Sequence, residues 1–307
     1  MTDFLLGEVG QDTRATLPAD AARQTGFLRR AARTVRKHAA GANLSPVLLL
    51  SILVLVVVLS WAIAPWLFTS HDPLRGVPRD ALLPPSAEYW FGTDHLGRDI
   101  FTRTVYGSAV TLQATALAVF IAFVTGGAIG VTAGFLGGRT DAVLMRLTDV
   151  LMAIPSLLLS MAIVTVLGFS TLNIAIAVGM SSVATFARLT RGEVLRWRVS
   201  LFVEAAETCG VSRLGIIWRH ILPHALGPIL ALAALEFGAA VLDIAALSFL
   251  GFGTPPPQPE WGLLISEGRN FIAIVWWYTT LPGLVVVASV LAANRLARHL
   301  QDRGGYA

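Results

Sequence analysis

Six stretches of this chain are apolar runs on the scale of the roughly 20 residues needed to cross a hydrocarbon core, and no other feature restricts the fold as much. They lie at about 46–68, 109–135, 143–167, 171–187 and 223–250, with a last run that ends near Leu296. Composition agrees. Of 307 residues, 55% are hydrophobic and only 14% are charged, where a soluble domain carries about 25%. The sequence therefore predicts an all-α membrane protein with six transmembrane helices.

The basic residues orient it. With six spans both ends share one side, and placing the N-terminus inside puts 18 of the 23 Lys and Arg inside. Seven fall in the first 45 residues and six between Arg188 and Arg219. Arg75, Arg79, Arg98, Arg103 and Arg269 are left outside. The positive-inside rule thus places both termini and the 188–222 loop in the cytoplasm. This distribution accounts for the net charge of +4 without nucleic acid as a partner, and the bilayer is the partner implied. Residues 1–45 read as a basic cytoplasmic segment whose Arg23 to Lys37 part forms either a surface helix or a solvated tail. Cys209 is the only cysteine and Lys37 the only lysine. An intrachain disulfide is excluded, and so is a phosphate-binding loop, which needs its own lysine.

The 188–222 loop is polar in an oily sequence. Phe202, Ala205, Ala206 and Cys209 recur at i, i+3, i+4 and i+7, with Glu204 and Glu207 on the other side, which predicts a short amphipathic helix capped by Ser200. Gly210 ends it. Ser212 caps a second helix whose stripe of Val211, Leu214, Gly215, Trp218 and Leu222 stops at Pro223. A generic interfacial helix between two spans has the same periodicity. Alanines in the middle of the first face suit close docking into a groove.

Elsewhere, Gly126, Gly130 and Gly134 form a ridge on span two, available to a partner chain or to another helix of the same chain. Pro155 kinks span three. Glu236 and Asp243, seven apart on span five, share a face and are candidate pore-lining residues or a helix-to-helix polar contact. The string Phe91-Gly-Thr-Asp-His-Leu-Gly-Arg-Asp99 reads as a turn held by charged hydrogen bonds rather than a metal site. Four prolines keep 253–260 out of a helix, 262–275 forms an interfacial half-helix, and Trp276, Trp277 and Tyr278 form an aromatic belt.

Several of these segments together resemble one family. Glu204-Ala205-Ala206, Gly210 and Leu222-Pro223 are similar to the EAA loop of permease subunits in ATP-binding-cassette importers. The segment from Phe91 to Asp99, the run Met145 to Val150, Leu247 to Gly251, and Trp261-Gly262 resemble its dipeptide and oligopeptide branch, as does His220, which stands where the general pattern has isoleucine. The tail lacks the Gly-Asp and Leu-Asp-Pro ending common there, and Asp243 lies where a Glu-Ala pair is more usual.

The resemblance implies the type I importer permease fold: a first helix at 46–68, an extracytoplasmic loop at 69–105, a core at 106–298 and a cytoplasmic tail at 299–307. It implies a bacterial-type inner membrane and no catalysis or cofactor in this chain, with ATP and magnesium on partner subunits. Those partners are a homologous second permease, two ATP-binding subunits and an extracytoplasmic solute-binding protein. Phe202, Glu204, Ala205, Ala206, Glu207, Cys209 and Gly210 would dock on the ATPase. Peptides are the expected cargo, with nickel chelates, glutathione or haem as alternatives. A stand-alone secondary transporter relaying protons through Asp149, Glu236 and Asp243 is a further alternative. An intramembrane serine hydrolase is disfavoured, because no Gly-x-Ser-x-Gly elbow occurs.

Overall fold

The computed structural model describes residues 46–303; segment 1–45 and the last four residues, with the expectations placed on them, lie outside the described residues. Helix α1, Pro46–Ile63, is apolar all round, and its only polar side chains, Ser51, Ser60 and Trp61, sit within that surface. The two serine hydroxyls donate to the carbonyls of Val47 and Val57. Satisfied in this way, they can sit in hydrocarbon.

Helix α2, Ile100–Leu136, begins nine residues before the expected Ala109 because Asp99 caps it, accepting from the Phe101 and Thr102 amides. At 37 residues it is about 55 Å long, against a core of about 30 Å, so it projects beyond the membrane. Its glycine ridge packs inside this chain. A Cβ on Gly126 would lie 2.6 Å from Phe186 Cβ, and one on Gly130 would lie 2.5 Å from the Ala187 carbonyl. Both contacts are on helix α5, Thr171–Arg198. That helix runs eleven residues beyond the expected Ala187, since Thr190 and Val194 are still buried.

The third span is broken rather than kinked. Helices α3, Gly138–Met152, and α4, Ser156–Leu167, meet at 91°. Pro155 is extended, with ψ 133°, and a proline also biases the residue before it away from helix. Helix α3 is held to α5 by ion pairs of Asp141 with Arg191 and Asp149 with Arg188.

Helix α6, Leu201–Thr208, and the single turn α7, Arg213–Ile216, form the loop that follows. The chain does not stop at Pro223. A π-helical segment, Ile217–Ile221, carries α7 directly into helix α8, Leu222–Leu247. The Leu222 amide bonds to the Ile217 carbonyl five residues back, so the missing donor of Pro223 falls where the ladder changes from i−5 to i−4. A second π segment, Ser248–Phe252, follows α8.

Residues 253–260 are non-helical, as expected, and Glu260 caps helix α9, Trp261–Gly268, accepting from the Gly262 and Leu263 amides at 3.0 Å. Helix α10, Trp276–Arg303, passes Pro282 without interruption. Of the expected aromatic belt only Trp276 is well exposed; Tyr278 is buried because α10 packs there against α9. Among the described residues five helices are long and apolar enough to cross a membrane, six if the α3–α4 pair, bent by 91°, counts as one span.

Candidate functional site

The elbow between α5 and α8 is built by local backbone chemistry. Helix α6 ends in a left-handed Gly210, φ +80°. The Val211 amide bonds back to the Ala206 carbonyl at 3.1 Å and the Gly210 amide to Glu207 at 3.0 Å, the paired bonds of a Schellman stop. Ser212 then caps the next turn, accepting from the Gly215 amide at 3.2 Å. Ser200 occupies the N-cap position of α6, but its hydroxyl donates to the Trp197 carbonyl instead of accepting from the helix.

Packing divides the expected docking stripe in two. Val203 and Ala206 are buried, and Val203 joins Phe135, Val194, Ile216 and Ile221 in one apolar cluster. Ala206 therefore permits close approach to this chain's own body. Ala205, Glu204, Glu207, Cys209 and Gly210 are exposed. Phe202 lies between the two groups, its ring 6.0 Å from Trp197 and 5.1 Å from His224. Leu201 and Trp218 are largely exposed, at 84% and 67%. Neither glutamate has an ion pair or side-chain hydrogen bond among the described residues. The result is a short helix seated on a solid base, with small, apolar and acidic groups turned outward. The periodicity missed Val203 as the residue that seats α6, because it sits between the stripe positions.

Glu236 and Asp243 are both half-buried on α8, and Glu236 meets the Ser182 hydroxyl on α5. His220 and His224 flank Phe202. Among the described residues no group of three or more His, Cys, Asp or Glu side chains is arranged to hold a metal ion.

At the opposite end, the string from Phe91 to Asp99 is a turn held by charged hydrogen bonds. Asp94 accepts from the Leu96 and Arg98 amides and from Arg98 Nε at 2.6 Å. Arg98 and the fully buried Arg103 both reach Glu267 on α9, at 3.4 and 3.1 Å, and the Tyr278 hydroxyl donates to the same carboxylate. Sequence spacing could not identify this network, since Arg103 and Glu267 are 164 positions apart.

Five long apolar helices, a pair bent at a proline and a firmly seated elbow define a multi-spanning helical membrane protein. The chain belongs to the family described as binding-protein-dependent transport system inner membrane component, which it matches over residues 126–304. A dipeptide transport system permease protein, DppC, of Alkalihalophilus pseudofirmus is 42% identical over 256 residues, covering 82% of this chain and 84% of its own. The probable D,D-dipeptide transport system permease protein DdpC of Escherichia coli (strain K12) is 39% identical over 259 residues, covering 84% and 87%. A chain of the MetNI methionine ABC transporter, in an inward-facing conformation, superposes with a TM-score of 0.51 at 17% identity, covering 64% of this chain and 96% of that one. The fold is thus that of the type I importer permease. The protein is a multi-pass inner-membrane component of a binding-protein-dependent transport system.

Proposed function

We propose that this chain forms half of the translocation pathway of an ATP-driven importer of di- and oligopeptides. Its partners are a homologous second permease, two ATP-binding subunits that carry ATP and magnesium, and an extracytoplasmic solute-binding protein. Both termini and the elbow lie in the cytoplasm, a placement supported by the arginine distribution. No bond is made or broken in this chain.

The observation that carries the reading is the seating of α6. Only Val199 and Ser200 separate it from α5, and its Val203 is locked into a cluster with Ile216 and Ile221 at the foot of α8. A push on its outer face is therefore delivered to both spans. Closure of the ATP-binding subunits moves a groove that holds Phe202, Ala205 and Cys209, while the free carboxylates of Glu204 and Glu207 accept charge-assisted hydrogen bonds from that subunit. Ala205 and Gly210 allow the close approach, and Ala206 supports it from behind. Glu236 and Asp243 line the pathway on α8.

Gly210→Val tests this directly. Nothing lies within 4 Å of an added Cβ, so the penalty is that of the left-handed backbone, about 1–2 kcal/mol. The expected outcome in reconstituted importer is ATP hydrolysis that continues while peptide uptake falls at least about tenfold, a factor matched by 1.4 kcal/mol. Full transport by this variant would count against the docking scheme.

A further inference from the structure

Trp197, in the last turn of α5, is where α5, α6 and the foot of α8 meet. Its backbone carbonyl accepts from both the amide and the hydroxyl of Ser200, which holds the turn into α6. Its ring lies 6.0 Å from Phe202 on α6 and 4.8 Å from His224 on α8. It packs against the cluster of Val203, Ile216 and Ile221 and also against a second cluster that contains Phe186, Ala225 and Ile229. A shift of α6 therefore works against this ring. A buried indole normally finds an acceptor for its N–H. Trp197 Nε1 is buried and has none among the described residues, and one turn earlier on α5 Glu193 Oε2 is also buried without a hydrogen bond. Arg196 borders both, its Cζ 5.4 Å from the Trp197 ring and its Nη1 4.0 Å from that carboxylate oxygen. Side chains four apart on a helix are neighbours, and the later one leans back over the earlier. Donor and acceptor are thus one turn apart, and neither is in use.

We infer that Trp197 is the positioning residue that passes movement of α6 to α8, and that its indole donates to the Glu193 carboxylate only when α6 is displaced. This rests on the coupling role proposed above for α6. When the ATP-binding subunits close and drive α6, Phe202 turns the ring and the indole N–H meets Glu193. His224 follows the ring, and Ala225 and Ile229 follow with it at the foot of α8. The bond to a charged acceptor offsets part of the cost of the displaced state. On release α6 returns and the bond is given up, so the contact marks one half of the transport cycle.

The test uses the assembled importer in vesicles, with alanyl-alanine as cargo. Trp197→Phe keeps a ring in both clusters and removes the N–H, and Glu193→Leu removes the acceptor. Each should raise the ATP hydrolysed per dipeptide imported about fivefold, the factor equivalent to about 1 kcal/mol. The double variant should do no worse than either, because both changes delete the same bond. Glu193→Gln keeps an acceptor oxygen and should couple normally. Since neither group is bonded in this conformation, Glu193→Leu should not lower the melting temperature of the nucleotide-free importer; a clear fall would make the residue structural and overturn the inference. With fluorotryptophan incorporated, the fluorine resonance that vanishes in Trp197→Phe should shift on addition of a non-hydrolysable ATP analogue, and the shift should shrink in Glu193→Leu. That measurement needs no cargo, so it decides the matter even if the unmodified importer takes up no dipeptide; a resonance that does not move would overturn the inference. Additive losses, or normal ATP use per dipeptide in Trp197→Phe, would overturn it too, while uncoupling by Gly210→Val would still leave α6 as the coupling element. Normal uptake by Gly210→Val would sink that role and this one with it.

Discussion

At the scale of single residues, the strongest constraints lie on buried charges outside the spans' lipid-facing surfaces. Glu260 is 2% exposed and accepts from two amides and the Thr111 hydroxyl at 3.1 Å. Replacing it by Ala leaves those donors buried and unpaired, a loss of about 2–4 kcal/mol, whereas Glu260→Gln keeps an acceptor and costs less. Thermal unfolding of the detergent-solubilised protein should show that order, and equal losses would contradict it. Glu267→Ala removes the carboxylate shared by Arg98 and Arg103. Asp94 still faces both guanidiniums, so the loss of stability should stay below the about 3–5 kcal/mol of a buried charge left with no partner, as thermal unfolding would show. Asp99 as a cap was not evident from sequence. Its string was readable as a charged turn, but the start of α2 at Ile100 depends on side chains that bury Arg103 and Thr104, and those come from distant segments.

At the scale of elements, close packing and proline breaks set the shape. Gly130→Val should force α2 away from α5, since even the first added atom meets the Ala187 carbonyl; overpacking of this type costs about 1–3 kcal/mol or more. The measurement is the yield of assembled, monodisperse importer, and a normal yield would show that the ridge tolerates side chains. The glycine spacing was legible as a packing surface. Which helix it meets was not, because a ridge four residues apart fits any neighbour that comes close. Pro155 was likewise legible as a disturbance, but a proline dictates only its own dihedral and that of Ile154. The 91° angle is set where α3 and α4 each pack on α5.

At the scale of the whole molecule, orientation is the claim that can be checked most simply. Cys209 is exposed and is the only cysteine, so an impermeant thiol reagent should label the isolated chain in inside-out vesicles and not in intact spheroplasts. Labelling from the outer face would reverse the topology and remove α6 from contact with any cytoplasmic ATP-binding subunit. The apolar segments and the position of the elbow were legible in the sequence alone, and its arginines alone predict the orientation. Hydrophobic length, arginine bias and the Gly210 break are local properties, and the membrane enforces them without reference to the rest of the fold. Tertiary structure alone decided that Val203 seats α6, that Arg103 and Glu267 meet, and that Asp149 stays exposed beside Arg188. Each depends on residues far apart in the chain, and no periodicity within one helix records which neighbour will cover its face.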